Sequence, residues 1–142
     1  TTQASVTIDQ KLYSEIGKGF LVLIGICDED TKETADKMLR KLIGMRIFSD
    51  ENGKTNLALK DVDGQLLLVS QFTLYADCKK GNRPSFVKAG SPQHANELYE
   101  YIIDACKKEV PVVKTGVFGA EMEVALINDG PFTIILDSKD LA

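Results

Sequence analysis

The run FLVLIGI at residues 20–26 constrains this chain more than any other feature. It is too short to cross a bilayer, which takes about 20 apolar residues in a helix. An unbroken apolar run of this length belongs instead to a strand covered on both faces. Upstream, residues 5–9 and 11–16 alternate apolar and polar side chains across a short polar turn, and Gly17-Lys18-Gly19 precedes the run. The pattern predicts a hairpin feeding a central, doubly covered strand. Covering such a strand needs a sizeable core, and 142 residues supply one as a single domain, residues 1–142. Hydrophobic residues at 44% and charged residues at 27% exclude a disordered, collagenous or coiled-coil chain. No basic segment with a small-residue cleavage site precedes the apolar run, so the expected location is cytoplasmic, with no membrane partner.

Two helices are predicted. Asp30 and Glu33 have the spacing of a capping box ahead of Ala35, Met38, Leu39, Leu42 and Ile43, and Gly44 ends the pattern. Ser91 and Pro92 suit the cap and first position of a second helix, whose buried stripe is Ala95, Leu98, Tyr99, Ile102, Ile103 and Cys106. Between them, residues 45–48 and 57–59 flank a turn containing Asn52-Gly53, and residues 65–75 form the longest strand candidate. Strands at 122–127 and 132–136 flank Asn128-Asp129-Gly130-Pro131. Many strands and two helices in mixed order predict an α+β domain, its largely antiparallel sheets curling into a barrel-like core.

The ordinary hydrolytic constellations are poorly served. Acyl transfer by a serine or cysteine needs a histidine in reach, and His94 is the only one, placed in the first turn of the second helix as an exposed surface residue. Cys27, Cys78 and Cys106 show no CxxC spacing, so neither a disulfide framework nor a metal site is supported, and no cofactor is implied. Cys78, beside Lys79 and Lys80, is either a reactive thiol or incidental to a basic loop. The net charge of −4 argues against a general nucleic-acid coat protein, yet residues 77–90 carry Lys79, Lys80, Arg83 and Lys88 against Asp77 alone, a local +3. That loop is either a solvated face or a local phosphate contact. Ser70, Gln71 and Thr73 interrupt an apolar strand, as a strand end leaving the core or as a polar site. On a strand, Ser70, Phe72 and Leu74 would face one way and Gln71, Thr73 and Tyr75 the other. Residues 128–131 alone read as a hairpin turn.

Taken together, SQFTLYAD at 70–77, KKGNRPSF at 79–86, TGVFGAEM at 115–122, NDGPFTIILDS at 128–138 and RIFSDENGKTNLAL at 46–59 resemble the D-aminoacyl-tRNA deacylases of the bacterial and eukaryotic type. The motifs are collinear and span nearly the whole chain. The resemblance implies a homodimer in which Ser70, Gln71, Phe72 and Thr73 of one subunit and Gly130-Pro131 of the other, joined by a cis peptide, line one site. It implies cleavage of the ester between a D-amino acid and the 3'-terminal ribose of tRNA, with the neighbouring 2'-hydroxyl helping to activate water and L-amino acids excluded. Thr73 then positions rather than attacks. Asn128 lies in the same segment, Phe118 and Met122 are expected near the terminal adenine, and Lys79, Lys80, Arg83 and Lys88 near phosphates. Glycyl-tRNA should also be cleaved. The resemblance further implies an opening strand ending in an arginine before residues 2–6, which this chain does not contain. Rival readings are a non-catalytic dimeric RNA-binding module and a thiol enzyme built on Cys78.

Overall fold

A computed structural model describes all residues, 1–142. Its centre is not the 20–26 run but the strand that pairs with it. Strands β1 (Gln3–Ile8) and β2 (Lys11–Ile16) form the hairpin expected from their alternation, and β3 (Gly19–Ile24) follows. The helix α1 covers Lys32–Gly44. A short pair, β4 (Phe48–Ser49) and β5 (Thr55–Leu57), leads to β6 (Gln65–Ser70). Then come α2 (Pro92–Glu109), β7 (Val113–Thr115) and β8 (Glu123–Ile127). The strands form three separate sheets, in orders β2-β1-β8, β3-β6-β7 and β4-β5, rather than one closed barrel. The first is antiparallel, while β3 and β7 both run parallel to β6.

The period of two along β6 builds the layers. Leu66 and Leu68 pack with Ala35 and Leu39 of α1 and with Leu98, Tyr99, Ile102 and Ile103 of α2. Leu67 and Val69 point the other way, onto Ala4, Val6 and Ile16 of the hairpin. All four β6 residues are at most 1% exposed, and burying each contributes about 1.5–3 kcal/mol. The doubly covered strand is therefore β6. By contrast, β3 is an edge strand, and its Leu23 is 42% exposed.

Every residue of the predicted α2 stripe is buried, and Ser91 caps the helix by accepting from His94 N. The α1 cap moves by one residue. Thr31 and Thr34 form the reciprocal pair, because the Asp30 carboxylate instead accepts from Cys27 N at 2.9 Å. Residues 71–75 leave the strand, and residues 132–136 join no ladder at all.

Tyr99 ties two layers together, its hydroxyl donating to Leu68 O at 2.7 Å. Burial pushes the Tyr99 phenol up to about 12 and the Cys106 thiol up to about 11. Both groups are neutral in the fold and ionise earlier when unfolded. Their stabilisation is complete below about pH 8 and is lost as pH rises from about 9 towards 12, at about 1.4 kcal/mol per unit of pKa difference. Urea midpoints should accordingly fall between pH 8 and 11. Tyr99→Phe should cost about 1 kcal/mol at pH 8, the net worth of the lost hydrogen bond, and flatten the alkaline decline. An undiminished decline in that variant would remove Tyr99 as its cause.

Candidate functional site

The site region grows from the end of β6. Gln71 N still donates to Ile24 O at 2.8 Å, extending the ladder by one bond. Gln71 then adopts φ −142° and ψ 83°, and residues Phe72–Tyr75 wind into a 3-10 turn. Leu74 N donates to Gln71 O and Ala76 N to Thr73 O. The chain folds over the end of β3 there, where Gly25 makes room: a Cβ at Gly25 would sit 3.1 Å from Leu74 Cβ and 3.3 Å from the Tyr75 ring.

This turn replaces the strand alternation expected for residues 70–75. Gln71 Nε2 donates to Thr73 Oγ1 at 2.5 Å, so the two polar side chains hold each other on one surface. Phe72 is 57% and Leu74 56% exposed, unusual for large apolar groups beside a core. Tyr75 turns inward towards Cys27. Burial, with the Cys27 side chain beside it, holds the Tyr75 hydroxyl well above the usual phenol range, and burial likewise raises the Cys27 thiol.

The basic loop closes against this turn. Asp77 and Ser85 exchange backbone hydrogen bonds at 2.7 and 2.8 Å, and the Phe86 ring meets Phe72 edge-on with centroids 5.2 Å apart. Lys79, Lys80 and Arg83 are exposed on the loop so formed. Lys88 differs, since its ammonium lies 4.0 Å from the Asp77 carboxylate. Cys78 is exposed on the same loop and unpaired. Phe86 is a site neighbour that sequence reasoning missed; the signal available was one aromatic residue in an otherwise polar, basic segment.

Between β8 and the C-terminal segment, Asn128 organises a tight turn. Its Oδ1 accepts from Phe132 N at 2.8 Å, and its Nδ2 donates to Thr133 Oγ1 at 3.0 Å. Inside the loop so pinned, the Gly130–Pro131 peptide is cis and Gly130 has φ +135°. Both residues are exposed. A cavity of about 660 Å³ opens nearby, mostly apolar, with Leu23, Leu74, Tyr75, Asn128, Phe132 and Ile135 among its walls. Ser70, Gln71, Phe72, Thr73, Gly130 and Pro131 do not line it. One chain thus places Leu74 and Tyr75 around a common hollow with Asn128, but leaves the Gly130–Pro131 tip facing outward.

The remaining candidates sit deeper than expected. Phe118 is half-buried with its ring centroid 6.2 Å from that of Tyr99, and Met122 Sδ accepts from Val117 N at 3.4 Å. His94 is half-buried rather than exposed, because its Nε2 is 2.9 Å from Asp30 O across the join between α2 and the loop after β3. The only imidazole is therefore tied to a backbone carbonyl and bonds no candidate nucleophile. No group of three or more His, Cys, Asp or Glu side chains gathers as a metal site would require.

Comparison with known proteins matches residues 1–137 to the family model described as D-Tyr-tRNA(Tyr) deacylase. A D-aminoacyl-tRNA deacylase of Clostridium novyi is 53% identical over 137 residues, covering 96% of this chain and 92% of the relative. One from Flavobacterium johnsoniae is 51% identical over 140 residues, covering 98% and 93%. A solved structure named c-Myc DNA Unwinding Element Binding Protein superposes with a TM-score of 0.90 at 40% identity, covering 96% of this chain and 93% of its own. On the strength of a match that runs almost end to end, this chain belongs to the D-Tyr-tRNA(Tyr) deacylase family.

Proposed function

We propose that the chain is an editing hydrolase that cleaves the ester of D-aminoacyl-tRNA, and of glycyl-tRNA, while sparing L-aminoacyl-tRNA. The observation that carries this is the collinear match to deacylases over residues 1–137. The geometry adds support of two kinds. First, the polar pair of half-buried Gln71 and exposed Thr73 lies beside a basic loop without an imidazole to activate a nucleophile. An aminoacyl ester is already activated, so positioning and main-chain dipoles at the carbonyl, with the ribose 2'-hydroxyl helping water, are adequate chemistry. Thr73 is accordingly a positioning residue. Second, the Gly130–Pro131 tip faces away from its own subunit's hollow, as a segment serving a partner subunit would.

A second copy of the chain is the proposed occupant of the apolar face. Leu23, Leu74, Leu126, Phe132, Ile134 and Ile135 are each at least 42% exposed and all line one hollow, more contiguous apolar surface than a monomer usually leaves in water. Residues 132–136 are an apolar run without a ladder partner in the same chain. In the dimer, backbone at residues 130–131 would stand where an L side chain needs to go. A D side chain points elsewhere, and glycine has none to exclude. Main chain suits this task because it cannot rotate aside.

The test is to measure release of amino acid from D-tyrosyl-, glycyl- and L-tyrosyl-tRNA under one condition. Loss of the first two esters with survival of the third is expected, and rapid loss of the L-ester ends the exclusion argument. Binding of tRNA without loss of any ester would favour the non-catalytic module. Retained turnover in Cys78→Ser is expected, and its loss would restore the thiol enzyme.

A further inference from the structure

The loop at 77–90 is not the chain's only concentration of positive charge. Lys37, Arg40 and Lys41 stand at i, i+3 and i+4 on α1, a spacing that stacks side chains on one face. Arg46 follows just beyond the helix. These four line a separate open cavity of about 550 Å³ whose walls carry no acidic side chain. The only ion pair in the structure is that between Lys88 and Asp77, so none of the four has a carboxylate partner.

Two of the cations are held in place. Lys37 Nζ donates to Leu141 O at 2.8 Å, and Arg46 Nε donates to Asn56 O at 2.9 Å with a further bond to the Asn56 side chain. Arg40 and Lys41 are exposed and make no side-chain hydrogen bond within the chain. In a protein of net charge −4 this is a strong local reversal of sign. The helix dipole favours a cation in the last turn of α1, which accounts for Lys41 but not for Arg46 outside the helix. Four unpaired cations around one hollow raise the local concentration of a polyanion.

Met45 and Ile47 line both this basic hollow and the apolar cavity that Leu74, Tyr75 and Asn128 border. The basic cluster thus adjoins that apolar hollow, while Ser70 to Thr73 and the Gly130–Pro131 tip lie outside it. We infer that Lys37, Arg40, Lys41 and Arg46 form a phosphate-binding surface for the tRNA body, separate from the 77–90 loop, engaging backbone phosphates without reading base sequence. The identity of the polyanion rests on the deacylase reading; the surface itself rests on the charge and the geometry.

The affinity of the protein for deacylated tRNA, measured across roughly 50 to 200 mM salt, decides this. Arg40→Gln/Lys41→Gln should bind less tightly, with a log–log salt slope shallower by about 2, one unit per lost phosphate contact. Lys107→Gln/Lys108→Gln, which removes the same charge from the exposed end of α2, should keep the wild-type slope. An unchanged slope in the α1 variant overturns the inference, as does an equal loss in the α2 control, which would assign the effect to net charge. Because the probe carries no ester, a wild-type protein that binds with the expected slopes yet releases no D-amino acid sinks the deacylase reading and leaves this surface standing.

Discussion

Gly19→Ala should destabilise the fold by roughly 3 kcal/mol or more, a large part of the about 5–15 kcal/mol that holds a domain together. Gly19 opens β3 with φ +155°, and a Cβ there would lie 1.9 Å from Gln65 O, 2.5 Å from Gln65 N and 2.7 Å from Gln65 C. These are backbone atoms of its register partner at the start of β6. A flexible side chain could swing clear; a paired strand cannot without giving up the pairing. The strand at stake is the one whose two faces hold both core clusters, so displacement at Gln65 propagates into Leu66 and Leu67. Gly53→Ala makes the matched control, since Gly53 also has positive φ, at +73°, but its Cβ would meet nothing within 4 Å. Only backbone strain remains there, about 1–2 kcal/mol. Urea unfolding of the two variants beside wild type separates clash from strain, and similar midpoints for both would show that the Gly19 contact relaxes.

What the sequence conveyed well was whatever a single element determines for itself. The α2 stripe and its Ser91 cap follow from spacing that repeats over 18 residues, and all six stripe positions are buried. The hairpin of β1 and β2 follows from alternation. Where two distant segments compete for one group, local pattern misleads. Asp30 looked like a cap, but its carboxylate serves Cys27 N and its carbonyl serves His94, 64 residues away. The 20–26 run is as apolar as 66–69, yet only β6 receives a layer on each side, because coverage depends on what arrives later in the chain.

The candidate site divides in the same way. Collinear motifs name its members, but the run from 65 to 75 reads as one strand, since no local pattern reports that β3 stops at Ile24 and leaves residues beyond Gln71 without a neighbour. Phe118 and Met122 come from the same motifs, and their half-buried packing was equally invisible. Residues 132–136 carry a strand's composition and find no strand to join in their own chain. A sequence records the propensity and leaves the partner unstated.

Asn128→Ala should lower kcat/KM for D-aminoacyl-tRNA by about 100-fold, the scale expected when a positioning group is allowed to shift by about 1 Å, while thermal stability changes little. Asn128 is exposed, so its loss removes little packing. What it does is pin the loop that carries Gly130 and Pro131, accepting from Phe132 N and donating to Thr133 Oγ1. Released from both bonds, the loop samples other positions, and on the proposed reading the stereochemical wall it carries works only if it is fixed. Discrimination should weaken together with rate, so the ratio of D- to L-ester hydrolysis is the more telling measurement. Asn128→Asp keeps an acceptor for Phe132 N, and the Thr133 hydroxyl can donate to the carboxylate in place of the lost amide. That variant should recover most of the activity. Equal losses in the alanine and aspartate variants would assign Asn128 to substrate contact, and wild-type rates with wild-type discrimination in both would show that the loop is held by something other than this side chain.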